Sequence, residues 1–161
     1  MNWKTIWRVP AVTVIGGYIG WYILVRLLTF ALVTQPDGTI TSDVNRQLLI
    51  YGLYTVLFVG ITGILFLRKL SRKEIFQSAT VVVVFVLLMN AVSYLMGPIS
   101  GEKAAMMIHL AMPFEWMDFP HTLIYRITGE YTLLGSVLRS FMPYLFVLFG
   151  FELICRYYLI R

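Results

Sequence analysis

Long stretches of mainly apolar residues constrain the fold of this chain more than any other feature. A helix needs about 20 consecutive apolar residues to cross the roughly 30 Å hydrocarbon layer of a bilayer. Four stretches meet this requirement, at about 9–33, 47–67, 76–96 and 132–159. Backbone polar groups must be hydrogen-bonded inside lipid, and no alternating barrel pattern is present, so we predict four transmembrane helices. The expected fold is an all-α integral membrane protein, with residues 1–161 in a single membrane domain.

The composition agrees with a membrane protein and argues against a soluble or nucleic-acid-binding one. Of the 161 residues, 59% are hydrophobic and 13% are charged, whereas soluble domains average about 25% charged residues. The net charge of +5 arises from basic residues beside the apolar stretches, which is typical of membrane topology signals. The single cysteine, Cys155, has no partner for an internal disulfide. No small-residue cleavage site follows the first stretch, so we expect that stretch to be retained as a helix.

Lysines and arginines are distributed unequally between the two ends of the predicted spans. Near the span ends, eight fall on one side and three on the other. Cytoplasmic loops are enriched in Lys and Arg, so the first side is predicted to be cytoplasmic. Both termini are then cytoplasmic, and a bacterial cytoplasmic membrane is the expected location. The eight are Lys4, Arg8, Arg68, Lys69, Arg72, Lys73, Arg156 and Arg161, and the three are Arg46, Lys103 and Arg126.

The predicted outer segment between spans three and four, 97–131, is long for a small helical bundle. Residues 102–112 are largely apolar and are followed by aromatic residues near Pro113 and Pro120. Amphipathic helices and aromatic belts at membrane surfaces have this composition. We therefore predict an interfacial helix in this outer loop, and a re-entrant segment is the alternative. In the first outer loop, Gln-Pro-Asp-Gly at 35–38 indicates a turn.

Two arginines interrupt the predicted spans. Arg26 lies about seven residues from the outer end of the first span, and Arg139 about seven residues from the outer start of the fourth. At 1.5 Å per residue, both are expected roughly 10 Å below the outer surface. An ionised side chain near the bilayer centre costs about 2.5–3.5 kcal/mol on insertion scales, so each arginine needs a partner or a function.

Polar and small residues recur at helical spacing in the outer half of each span. Residues three or four positions apart share one face of a helix, and such faces usually point into the bundle because lipid cannot satisfy them. We therefore predict a polar, outward-facing cavity lined by the two arginines. The predicted ligand-binding residues are Arg26, Asn90, Arg139, Tyr22, Tyr51 and Tyr94.

An anionic lipid or a small anionic solute is the predicted ligand, because the arginine guanidinium matches carboxylate and phosphate groups bidentately. Two simpler interpretations of the arginines stay open. In one, their side chains extend to lipid headgroups; in the other, they pair with Glu130, Asp43 or Glu102. The polar faces themselves are also explained by helix–helix packing without any ligand.

The outer segment also contains side chains that are capable of acid–base chemistry. The candidates for catalysis are His109, Glu115, Asp118 and His121. They support an alternative function as a small membrane enzyme that acts on a lipid-linked phosphate at the outer leaflet. Their spacing matches no metal-ligand or hydrolase motif, and we predict neither a metal site nor a cofactor. Methionines beside the histidines suit Cu(I), although such methionines are more often simple apolar contacts.

A third hypothesis is a structural subunit that binds no ligand. Neither side of the predicted bundle carries a folded soluble domain, so the outer segment 97–131 is the surface on which another membrane protein would dock. The expected partners are the lipid bilayer, an anionic lipid or solute and, in this hypothesis, a second protein of a membrane complex. Nucleic acid is not among them.

Overall fold

The computed structural model describes residues 3–96 and 109–150, and these residues are mostly helical. Three helices are long and apolar enough to cross a membrane. They follow a single helical turn at Trp3–Ile6 and agree with the first three predicted stretches to within a few residues. The three are α1 (Arg8–Ala31), α2 (Val44–Leu67) and α3 (Arg72–Met96).

A two-stranded antiparallel hairpin connects α1 to α2. Its strands are β1 (Leu32–Thr34) and β2 (Ile40–Ser42). The turn predicted at 35–38 is present, and its glycine, Gly38, has a φ of +83°, which favours glycine because it has no Cβ. The Asp43 side chain then accepts hydrogen bonds from two backbone N–H groups and caps α2. The sequence prediction of an all-α chain missed the strands, which are only three residues long.

Three further helical elements follow the helical residues 109–111. They are a 3₁₀ helix (Met112–Met117), α4 (Phe119–Thr128) and α5 (Leu133–Phe149), of which the second half, Met142–Phe149, is also 3₁₀. A glycine with a left-handed φ of +76°, Gly129, ends α4. The predicted fourth stretch therefore contains a helix over its first part, and its remainder, 151–159, lies outside the described residues. Most of the predicted interfacial helix at 102–112 also lies outside them.

The core of the bundle is aromatic. Trp116 of the 3₁₀ helix stacks on Phe58 of α2, with ring centroids 4.9 Å apart, and also contacts Phe146 of α5 at 5.5 Å. All three side chains are buried. In lipid, where burial from water no longer drives helix association, dispersion contacts of this kind hold a bundle together.

Close approach of α1 to α2 depends on glycine. A Cβ added at Gly20 would overlap the Tyr54 hydroxyl, and one added at Gly16 would lie 3.3 Å from a Phe58 ring carbon. The Gly-x-x-x-Gly spacing in α1 therefore serves packing within the chain. Outward-facing positions carry large apolar side chains: Ile19 and Val56 are 64% and 70% exposed. A surface of this kind suits contact with lipid chains.

Candidate functional site

The 3₁₀ helix Met112–Met117 lies inside the bundle and not along its surface. It packs against positions near the middle of all three long helices. Phe114 contacts Phe85 of α3 with ring centroids 5.6 Å apart, and Thr55 of α2 donates a hydrogen bond of 2.6 Å to the Trp116 carbonyl. In α1, a Cβ at Gly17 would overlap the Pro113 carbonyl, so this position admits only glycine without displacement. The interfacial helix and the re-entrant segment considered for the outer loop both stay predictions, because most of 102–112 lies outside the described residues.

Side chains from other helices donate hydrogen bonds to carbonyl groups of this 3₁₀ helix and of His109, which lies just before it. The Tyr18 hydroxyl donates to the His109 carbonyl at 2.8 Å, and Arg139 Nη2 donates to the Phe114 carbonyl at 3.4 Å. With the Thr55 hydrogen bond, α1, α2 and α5 each supply one donor. Irregular backbone is tolerated at membrane depth only where the protein itself provides such partners.

Arg139 forms the centre of a cluster of charged side chains in the bundle. Its Nη1 lies 2.8 Å from Asp118 Oδ1, and its Nη2 lies 3.8 Å from Glu115 Oε1. The side chains of Arg139 and Asp118 are only 16% and 17% exposed, and that of Glu115 is 28% exposed. The spacing of three residues places both carboxylates on one face, because a 3₁₀ helix has three residues per turn.

Burial and charge together favour the protonated form of Glu115. Removal from water and the neighbouring Asp118 carboxylate together raise the pKa of its carboxyl to about 8, although Arg139 opposes both effects. Near neutral pH, Glu115 therefore carries a proton beside the Arg139–Asp118 ion pair.

His121, near the start of α4, lies three residues after Asp118 and within electrostatic range of the cluster. Its ring meets that of Tyr131 edge-on, with centroids 5.0 Å apart, and Gly135 of α5 gives it room, since a Cβ there would lie 2.8 Å from His121 Cδ2. Burial lowers the pKa of the imidazole, and the Asp118 carboxylate partly opposes this. Its buried Nε2 has no hydrogen-bond partner among the described residues.

A cavity of about 240 Å³ lies beside the cluster, between α3, α5 and residues 110–114. Its polar lining comes from Arg139 and from Asn90 and Ser93 of α3. Asn90 is oriented by α5, since its Nδ2 donates to the Ser136 carbonyl at 3.3 Å and to Ser140 Oγ at 3.0 Å. The rest of the lining is apolar: Val86, Met89, Leu110, Ala111 and Phe114.

The structure brings together some of the predicted ligand-binding residues and leaves others apart. Arg139 and Asn90 line one cavity, and Tyr51 of α2 is buried within electrostatic range of the cluster. Arg26 and its neighbour Tyr22 are exposed on α1, and Tyr94 is exposed on α3. Among the described residues, the Arg26 guanidinium has no ion pair.

The candidates for catalysis divide in the same way. Glu115, Asp118 and His121 lie beside Arg139, whereas the exposed His109 contributes its backbone carbonyl to a hydrogen bond with Tyr18. The ion pairs of Arg139 differ from those considered from sequence, and Asp43 lies near Arg46 instead, at 3.6 Å. A signal for the observed grouping is present in the sequence, since Glu115, Asp118 and His121 are three residues apart and such spacing places side chains on one side of a helical segment.

Comparison with known proteins adds no family to this geometry. No family model matches the chain, and neither the curated proteins nor the solved structures provide a match. Across the described ranges 3–96 and 109–150, no group of three or more His, Cys, Asp or Glu side chains is placed to hold a metal ion. Function therefore has to be inferred from the cluster and its cavity.

Proposed function

We propose that this protein spans the membrane four times with both termini in the cytoplasm and binds a small amphipathic anion in its outer half. The head group, a carboxylate or a phosphate, lies at Arg139. The apolar part of the ligand lies in the cavity between α3, α5 and residues 110–114. This proposal keeps the anionic ligand expected from the sequence and moves its site away from Arg26.

One observation carries the proposal: Arg139 lines the cavity and retains an unused donor. Its Nε is buried and has no partner among the described residues, although Nη1 and Nη2 are both engaged. A buried N–H without an acceptor costs about 1–3 kcal/mol. A ligand oxygen in the cavity provides that acceptor.

The remainder of the cavity suits an apolar ligand body. Asn90 and Ser93 add polar groups on α3, three residues apart and therefore on one face. The other lining residues are aliphatic, methionine or phenylalanine side chains. Sites with a mainly apolar lining and a few fixed polar groups are typical of small-molecule binding.

Native mass spectrometry of protein extracted gently from its own membranes tests this proposal. We expect wild type to carry an added mass of lipid or solute size. Ala111→Leu narrows the cavity without disturbing the ion pair and should lose that mass, and Arg26→Gln is the matched control that should keep it. An unchanged bound mass in Ala111→Leu would contradict the proposed site. An added protein mass in place of a ligand would favour the structural-subunit hypothesis.

A second candidate function, a membrane enzyme acting on a lipid-linked phosphate, is favoured by the row formed by Glu115, Asp118 and His121. A protonated carboxyl, a carboxylate and a neutral imidazole beside an arginine are suitable for acid–base catalysis on a phosphate ester. Phosphate release from extracted lipids, measured for wild type and His121→Ala, tests it. Loss of release in His121→Ala with retained folding supports catalysis, and equal release contradicts it.

A further inference from the structure

We propose that an anion binds at Arg139 together with one proton, which the Glu115–Asp118 pair takes up from the outer side. The inference rests on the proposed function and specifies how the same site is regulated. In this arrangement the anion replaces the Asp118 carboxylate as the ionic partner of Arg139. The proton bonds to the carboxylate oxygen that Arg139 has released, and the anion itself stays chemically intact.

The argument begins with the balance of charge around Arg139. The single guanidinium already faces Asp118 at 2.8 Å and Glu115 at 3.8 Å. Even with Glu115 protonated, an arriving anion would face the Asp118 carboxylate, which already occupies the single guanidinium. Like charges in a partly buried site repel strongly, because little water is present to screen them. Protonation of the displaced carboxylate removes that repulsion.

Within residues 3–96 and 109–150, the surroundings of the acidic pair provide no second cation. Of the elements packed against it, α5 contributes Arg139, α4 contributes His121, and α2 contributes the buried Tyr51. Tyr131 follows α4 and contacts His121. The charged residue of α1 nearest this level, Arg26, is exposed and makes no ion pair with a described residue.

A histidine lies between the acidic pair and the surface. His121 follows Asp118 by three residues, within electrostatic range of it, and its ring contacts Tyr131, which is 69% exposed. The unpaired Nε2 of His121 provides a site where a proton can be accepted and released. A proton from the outer side can therefore reach the neighbourhood of the pair through His121.

Straight-chain carboxylates from butanoate to dodecanoate are suitable probes, since they remain ionised between about pH 6 and about pH 8. Their binding to the full-length wild-type protein would be measured by isothermal titration calorimetry at several pH values. Two buffers of different ionisation enthalpy report the number of protons taken up. The matching primary amides have no charge and serve as control ligands, and Ala111→Leu corrects for partition into detergent.

If one proton accompanies each anion, carboxylate affinity increases about tenfold for each unit by which the pH is lowered. Amide affinity should stay constant over the same range. Carboxylate binding that is independent of pH, with no proton uptake, would overturn proton coupling and leave the proposed function intact. Binding of neither series at any pH would overturn the proposed function itself.

The double variant Glu115→Gln/Asp118→Asn provides a test on the protein side. Without titratable carboxyls, the Arg139 charge is free for the anion, so we expect tighter carboxylate binding with no dependence on pH. A retained tenfold change per pH unit would contradict the assignment to this pair. Because Arg139 without its acidic partners disfavours folding, the proton count in wild type remains the deciding measurement.

Discussion

Arg26 and Arg139 interrupt apolar helices at similar predicted depths, yet their surroundings differ completely. The Arg139 side chain is 16% exposed and contacts Asp118, Glu115 and the Phe114 carbonyl. Arg26 is exposed, and the structure gives it no ion pair with a described residue. The difference arises from the 3₁₀ helix Met112–Met117 and the residue that follows it, which place Glu115 and Asp118 beside Arg139 of α5. Depth along a helix therefore does not define the role of a membrane arginine; the element that packs against it does.

Removal of Arg139 should have the largest effect. Arg139→Gln leaves Asp118 without its ionic partner in a partly buried position, and loss of one member of such a pair costs about 3–5 kcal/mol. Unfolding of the purified protein by titration with a denaturing detergent measures this cost. The double variant Arg139→Gln/Asp118→Asn should recover part of the stability, and an absence of any recovery would argue against the pair as the cause.

A side chain added at Gly17, where α1 contacts the 3₁₀ helix Met112–Met117, should have the next largest effect on stability. In Gly17→Ala the new Cβ would overlap the Pro113 carbonyl, and overpacking of this kind costs about 1–3 kcal/mol. Gly60→Ala is the matched control, because nothing lies within 4 Å of a Cβ at Gly60. Thermal unfolding of both variants compares them. Equal stability would mean that the segment does not pack against α1 as described.

Glu115 should make the stability of the Arg139 region depend on pH. Its pKa is raised from 4.5 to about 8, so between these values the folded protein holds a proton that the unfolded chain has released. Stability is therefore complete below pH 4.5 and decreases as the pH rises toward about 8, by at most about 1.4 kcal/mol per pH unit. The midpoint of thermal unfolding followed against pH should lose this slope in Glu115→Gln. Identical slopes in both proteins would contradict the assignment.

Arg26→Gln should have the smallest effect, because the side chain is exposed and has no ionic partner among the described residues. Substitutions at such positions usually change stability by less than about 0.5 kcal/mol. The same detergent titration that is applied to Arg139→Gln provides the comparison. A loss as large as that of Arg139→Gln would show that Arg26 has a strong partner in the rest of the chain.

Sequence alone predicted the elements that depend on local pattern. The three long helices follow from apolar length, and the turn at Gly38 follows from its turn residues. The face of α3 that carries Asn90 follows from helical spacing, and it lies on the same cavity as Arg139. These features depend on residues that are close in sequence, so periodicity and turn chemistry are sufficient to find them.

The packing of the 3₁₀ helix Met112–Met117 inside the bundle was not predicted, because it depends on contacts between distant residues. Aromatic residues such as Phe114 and Trp116 are also common at a membrane surface. The order of helices around a bundle cannot be inferred from the residue pattern of one helix. The space at Gly17 and the hydrogen bond from Thr55 exist only once α1 and α2 are assembled. The partners of Arg139 depend on the same assembly.

The hairpin formed by α4 and α5 has a consequence for biogenesis. Asp118 immediately precedes α4, and Arg139 lies in α5, which follows α4 after a tight turn at Gly129. Both residues therefore leave the ribosome within a short interval. In the proposed four-span arrangement, their opposite charges can neutralise each other before either helix meets the acyl chains. The translocon then handles a nearly neutral unit instead of a lone guanidinium, which would otherwise add about 2.5–3.5 kcal/mol to insertion.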